Sequence, residues 1–387
     1  MLGFGGGAIM KARLFAGLLF VCVGGQALAS AYSDLNAGIA ARNSGDWDET
    51  IRRLTLALSA PDLLPAFKPV AYLDRAEAHV EKKEWEPALA DYTAAIAADP
   101  QYLDAYVDRA AVYRFKKQWD LAIADYDALI VMRPGFESSY AGRGNAYLAE
   151  RKYDSAITDF NTIISLAPRA SGGYLLRGAA FRDKGDYDKA IADEDEAIDL
   201  DSKDAGGYFE RGLTYQAESD FHHARDDYDD GFKLRPGDFD ARLNYGLLQW
   251  EFGNVDDAAA TFAQAVQTQP TSAYGVLWLD IAQFKTGKAD DGLRQNAARL
   301  DLKQWPGPVL ELYLGALAPD AALKAAANDD PLTRQNQVCE ADFYVGEWQL
   351  LHGAAALAKP LLAQAASDCP SDFVERLAAA AELRRQP

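Results

Sequence analysis

Residues 105–134 read AYVDRAAVYRFKKQWDLAIADYDALIVMRP. Tyr106, Ala110 and Tyr113 stand at i, i+4 and i+7, one stripe of a first helix. Ala122, Tyr126 and Leu129 make the stripe of a second. Pro134 ends the second helix and starts the next unit, because proline lacks the amide donor and clashes with a continuing turn. The register returns every 34 residues: Tyr72, Tyr106, Tyr140, Tyr174 and Tyr208; Ala88, Ala122, Ala156, Ala190, Ala224 and Ala258; Pro100, Pro134, Pro168, Pro236 and Pro270. A small residue recurs at the eighth position of the unit (Ala76, Ala110, Gly144, Gly178, Gly212, Gly246), where it lets the paired helices approach closely. One such hairpin cannot bury its apolar face, so neighbours must stack and the core must run along the array.

This pattern resembles the tetratricopeptide-repeat family. Clear units begin near Pro69, Leu103, Glu137, Ser171, Ala205 and Phe239. Weaker ones begin near Ala31, with Trp47 as its aromatic and four extra residues before the next unit, and near Ala273. Ser202 stands in place of one closing proline, and Glu194 in place of one second-helix aromatic. The resemblance implies an all-α, right-handed superhelical solenoid of about eight or nine hairpins, closed by a C-terminal capping helix. The expected layout is a signal peptide over 1–29, the solenoid over 30–302, an out-of-register helical excursion over 303–338, and a final hairpin with capping helix over 339–387.

The signal peptide is read from Lys11 and Arg13, the apolar run Leu14 to Val23, and the Ala27-Leu28-Ala29 cleavage pattern. The run is too short to span a bilayer, so the mature chain is expected in the periplasm without a membrane segment. The alternative is a lipoprotein acylated at Cys22, and Met10 is a more usual start than Met1. Almost half the residues are hydrophobic and a quarter are charged, which is an ordinary globular composition. The net charge of −19 argues against nucleic acid or an anionic membrane as partner, since both demand clustered Lys and Arg.

Chemistry-bearing patterns are sparse. His79 takes a position where other units place Tyr or Phe; His222 and His223 are adjacent and point to different helix sides; His352 stands alone. No zinc spacing, nucleophile elbow, phosphate loop or dinucleotide glycine pattern occurs. Asp226, Asp227, Asp229 and Asp230 cluster without the glycine and terminal Glu of a calcium loop. The chain is therefore expected to be non-catalytic, with no cofactor and no metal.

One constellation recurs in register. Arg75, Arg109, Arg143, Arg177 and Arg211 take the seventh position, and Asp91, Asp125, Asp159, Asp193 and Asp227 the twenty-third. Arginine at the border of an apolar stripe needs a carboxylate fork to offset its desolvation. A structural ladder, paired inside each hairpin, is the expected arrangement.

In the C-terminal third, WLDIAQF (278–284), WPGPVLELYLG (305–315), FYVGEWQLLHG (343–353) and FVERLAAAAEL (373–383) together resemble the tail of the NlpI group of periplasmic tetratricopeptide proteins. That resemblance implies an adaptor that binds cell-wall hydrolases and presents clients to a periplasmic protease. A peptidoglycan- or carbohydrate-binding module is the alternative. Homodimerisation is left open. Cys339 and Cys369, an even pair in an exported chain at opposite ends of the last hairpin, are expected to form a disulfide.

In the resembled family the first helix of each hairpin lines the concave face through positions 2, 5, 9 and 12. Those positions are small or polar at Ala111, Ala141, Asn145 and Ala179, then become Phe209, Leu213, Leu243, Leu247, Trp250, Tyr274, Leu277, Ile281 and Phe284. Nine large apolar side chains on one exposed face would mark a partner-binding patch. The rival arrangement has the helices between Lys303 and Gln337 folding back over it.

Overall fold

The structure is a computed structural model. It describes residues 28–288, 292–329, 331–370 and 373–385. The signal-peptide features and Cys22 lie outside the described residues, apart from Leu28 and Ala29 at the start of the first helix. The described residues are helical hairpins with no strand among them, and they divide into two compact units, to Glu150 and from Arg151.

The first unit holds α1 (Leu28–Ser44), α2 (Trp47–Ser59), α3 (Lys68–Glu81), α4 (Trp85–Ala98), α5 (Leu103–Phe115), α6 (Trp119–Met132) and α7 (Glu137–Ala149). Consecutive helices pack against one another throughout it. Ala76, Ala88, Tyr92 and Ala95 form the seam between α3 and α4, and Ala110, Ala122, Tyr126 and Leu129 the seam between α5 and α6. These are the recurring positions of the sequence register. The hydroxyl of Tyr106 donates to the Pro100 carbonyl at 3.3 Å, which ties the start of a hairpin to the proline that closes the preceding one.

The second unit continues with α8 (Tyr153–Leu166), α9 (Ser171–Lys184), α10 (Tyr187–Leu200), α11 (Ala205–Ala217), α12 (Phe221–Leu234), α13 (Phe239–Glu251), α14 (Val255–Thr268) and α15 (Ala273–Lys285). Close approach is strict between α13 and α14: a Cβ added at Gly246 would lie 2.4 Å from the Phe262 ring. The turns inside hairpins pass through left-handed backbone, with Gly185 at φ +88° and Gly253 at +86°.

After α15 the register breaks. Three short helices follow, α16 (Gly292–Ala297), α17 (Gly307–Tyr313) and α18 (Pro319–Ala325). Then come α19 (Pro331–Leu351), α20 (Ala355–Asp368) and α21 (Val374–Arg385). The first helix of the final hairpin thus starts at Pro331 rather than Cys339, since proline is well placed at a first helical position and nothing breaks the helix between them. A disulfide joins Cys339 to Cys369 across α19 and the end of α20, with Cα atoms 5.1 Å apart. Closing a loop of 30 residues stabilises this hairpin by about 2–4 kcal/mol.

Candidate interaction surface

The arginine ladder is built inside hairpins. Arg75 donates through Nε and Nη2 to both carboxylate oxygens of Asp91, at 2.7 and 2.6 Å. Arg109 does the same to Asp125 (3.0 and 2.6 Å), Arg177 to Asp193 (2.8 and 2.6 Å) and Arg211 to Asp227 (2.9 and 2.6 Å). Arg143 and Asp159, the remaining rung, fall in different units. All five aspartates are buried. Burial pushes the Asp125 and Asp227 carboxyls above their ordinary range, against the pull of their arginines.

The sequence reading missed the third arm of each arginine. Nη1 reaches the second helix of the preceding hairpin: Arg75 to Thr55 (2.9 Å), Arg109 to Thr93 (3.0 Å), Arg143 to Asp127, Arg177 to Asn161 and Arg211 to Asp195. The acceptor lies 16 residues back in four cases and 20 in the first. The four extra residues after the first unit account for that difference. A polar residue two places after the ladder aspartate, at positions 93, 127, 161 and 195, was the available signal. Arg75, Arg109, Arg177 and Arg211 therefore each lock their own hairpin and pin it to the one before. Arg75, Arg109, Arg143 and Arg177 also sit 5.7–5.8 Å from the ring of the tyrosine three residues earlier. Arg109→Ala should destabilise the first unit by about 3–5 kcal/mol, because it strands the buried Asp125 carboxylate. Denaturant unfolding checks this, and a loss below about 1 kcal/mol would show the fork to be incidental.

The first helices carry the residues expected on the inner face. Ala111 and Ala141 with Asn145 in the first unit, and Ala179 in the second, are half-buried and small. Where large apolar residues were expected on this face, all but one turn out covered or half-buried. Leu247, Trp250, Leu277 and Ile281 are core, the last three with no exposed surface. Phe209 is buried against Tyr228 and Phe232, with Leu213 half-buried beside it. Leu243 and Tyr274 are half-buried on the same core as Trp250. Phe284 alone stays open, 41% exposed, with its ring 5.7 Å from that of His352.

The expected exposed patch is thus corrected to an interior. The covering elements are α16, α17, α19 and α21, whose Leu293, Val309, Leu310, Phe343, Tyr344, Ala378 and Ala379 share one cluster with Trp250 and Trp278. The Trp278 ring lies 5.5 Å from Trp250 and 5.2 Å from Phe343. Docking the tail helices removes this aromatic surface from water, which favours the covered arrangement.

Polar groups fix the closure. Glu340 accepts from the Tyr274 hydroxyl (2.7 Å) and from the Trp305 indole (2.6 Å), joining α15 to α19. Lys285 sits between Glu382 (2.6 Å) and Glu347 (3.0 Å), joining α15 to α21 and α19. Its ammonium also lies 4.8 Å from the Trp250 ring. Burial pushes Glu347 well above the usual carboxylate range, against the pull of Lys285, and pushes Glu375 up to about 7. Farther along, Glu194, where other units put an aromatic ring, is fully buried, accepts from Thr214 at 2.7 Å and is pushed by burial up to about 8.

A model of the tetratricopeptide repeat matches residues 73–135, 142–205 and 209–273. A tetratricopeptide repeat protein from Parabacteroides merdae ATCC 43184 aligns at 18% identity over 66% of this chain and 99% of its own, with a TM-score of 0.56. The C-terminal part of a repeat-containing protein from Cytophaga hutchinsonii aligns at 16% identity over 63% of this chain and 98% of its own, TM-score 0.47. MamA from Desulfovibrio magneticus RS-1 aligns at 17% identity over 44% of this chain and 96% of its own, TM-score 0.39. The hairpins within residues 73–273 are tetratricopeptide repeats, and proteins built of them act as protein-interaction scaffolds. Among the described residues no helix is long and apolar enough to cross a membrane.

Proposed function

We propose that this chain is a non-catalytic adaptor of the bacterial cell envelope, which brings cell-wall hydrolases or a periplasmic protease to their clients. The observation that carries this reading is the ladder. Within each unit it ties a hairpin to the one before, while the first helices keep small, half-buried side chains, Ala111 and Ala141 in the first unit and Ala179 in the second. A rigid platform of that kind receives a peptide segment without first ordering itself. The buried Cys339–Cys369 disulfide supports an exported setting, because cytosolic thiols are kept reduced. The tail's resemblance to the NlpI group supports the hydrolase and protease partners.

The test is capture from envelope extract by the mature chain, with Ala111→Arg and Ala179→Arg as separate variants. Hydrolases or a protease should be enriched by the parent. Each variant should lose about tenfold or more of that capture, with its melting temperature unchanged. Equal capture by parent and variants would refute the surface. Sedimentation with purified cell-wall polymer, and no protein enriched, would refute the adaptor.

A further inference from the structure

We propose that α21 is the chain's own occupant of a helix-binding groove floored by α13, α15 and α19, walled by α20 and closed at one end by Lys285 of α15. The partner this groove fits is a helix with an alanine face and a Glu–Arg pair three residues apart. The proposal deepens the adaptor reading and rests on it. The floor is aromatic, made of Trp250, Trp278, Phe343 and Tyr344, all buried. Against it α21 places Ala378 and Ala379, so small side chains bring a helix backbone close to large rings, as in helix-in-groove recognition.

Polar anchors bracket the alanines. At one end the Tyr344 hydroxyl donates to Glu375 at 3.0 Å. At the other, Lys285 donates to Glu382 at 2.6 Å. Arg385 donates there to Glu382 at 2.5 Å and to the carbonyls of Trp250 and Glu251. The alanines cover little area each, and Val374 and Leu383 add half-buried apolar contacts at the two ends of the helix. One feature makes α21 replaceable: the buried Trp250 indole N–H has no acceptor among the described residues. A partner helix with a polar acceptor in place of one alanine would satisfy a donor that α21 leaves unmet.

The experiment uses the full oxidised chain and a labelled peptide copying residues 373–385. The peptide should bind. A control peptide with Glu382→Gln and Arg385→Gln should bind at least about tenfold more weakly. Arg385→Gln in the chain itself loosens the resident helix and should tighten peptide binding by about tenfold, because the open state becomes more populated. Saturating peptide should raise hydrogen exchange in α21 while α19 stays protected. No binding to either chain, with α21 amides exchanging only in step with those of α19, would overturn the groove. That result leaves capture of envelope proteins on the small-residue faces of the first helices unaffected, so the two readings fail separately.

Discussion

Trp250→Ala should lower the stability of the second unit by about 3–5 kcal/mol and its unfolding midpoint by roughly 10 °C. Trp250 has no exposed surface. It packs against Trp278 and lies beneath the Lys285 ammonium and the Arg385 guanidinium, the latter 5.8 Å from its ring. Truncation removes the ring contacts and leaves a cavity bounded by helices that the tail network holds in place. Phe284→Ala, on the same register stripe but 41% exposed, should cost below about 1 kcal/mol. Thermal melts of the two variants check the contrast. Equal, small effects would return both residues to an open binding face.

Lys285→Met should be the most pH-dependent substitution in the chain. It leaves Glu347 and Glu382 buried without the shared ammonium, a loss of about 3–5 kcal/mol when both are ionised. The sign follows from proton uptake. Glu347 already titrates above its ordinary 4.5 in the folded parent, because burial disfavours its charged form. Removing the cation raises Glu347 further, so the folded variant binds more protons than the unfolded chain over the window from about pH 4.5 upward through neutrality. Stability of the variant therefore falls as pH rises, more steeply than that of the parent. Urea midpoints should differ little near pH 5 and widely near pH 8.5. A difference that is flat or shrinks with pH would contradict the burial assigned to this network.

How much of this was legible in the sequence follows from which contacts are local. The pairing of Arg109 with Asp125 could be read because both lie in one hairpin and recur with it. The third arm of the same arginine could not, because its acceptor changes between Thr, Asn and Asp along the array and is masked as ordinary surface polarity. The hairpins from Ala31 onward announced themselves through Tyr, Ala and Pro in register. The tail did not say where it docks. Glu382 and Lys285 are separated by 97 residues, and no periodicity connects them. Position within the repeat placed Trp250 and Ile281 on the inner face, which left covered and exposed arrangements equally consistent with the pattern. The reason for the covered one lies in the aromatic floor itself, too large to remain wet. The start of α19 at Pro331 was overlooked for a smaller reason, as the Cys339–Pro370 spacing mimicked a full repeat.

The central claim is that the C-terminal helices close over α13 and α15 and form one core with them. Native-state hydrogen exchange on the full oxidised chain tests it most directly. Amides of α13, α15 and α19 should exchange with one common free energy, through a single cooperative opening of the second unit. Exchange of α13 and α15 by small independent openings, while α19 stays protected, would show the repeats and the tail to be separate bodies and would contradict the account.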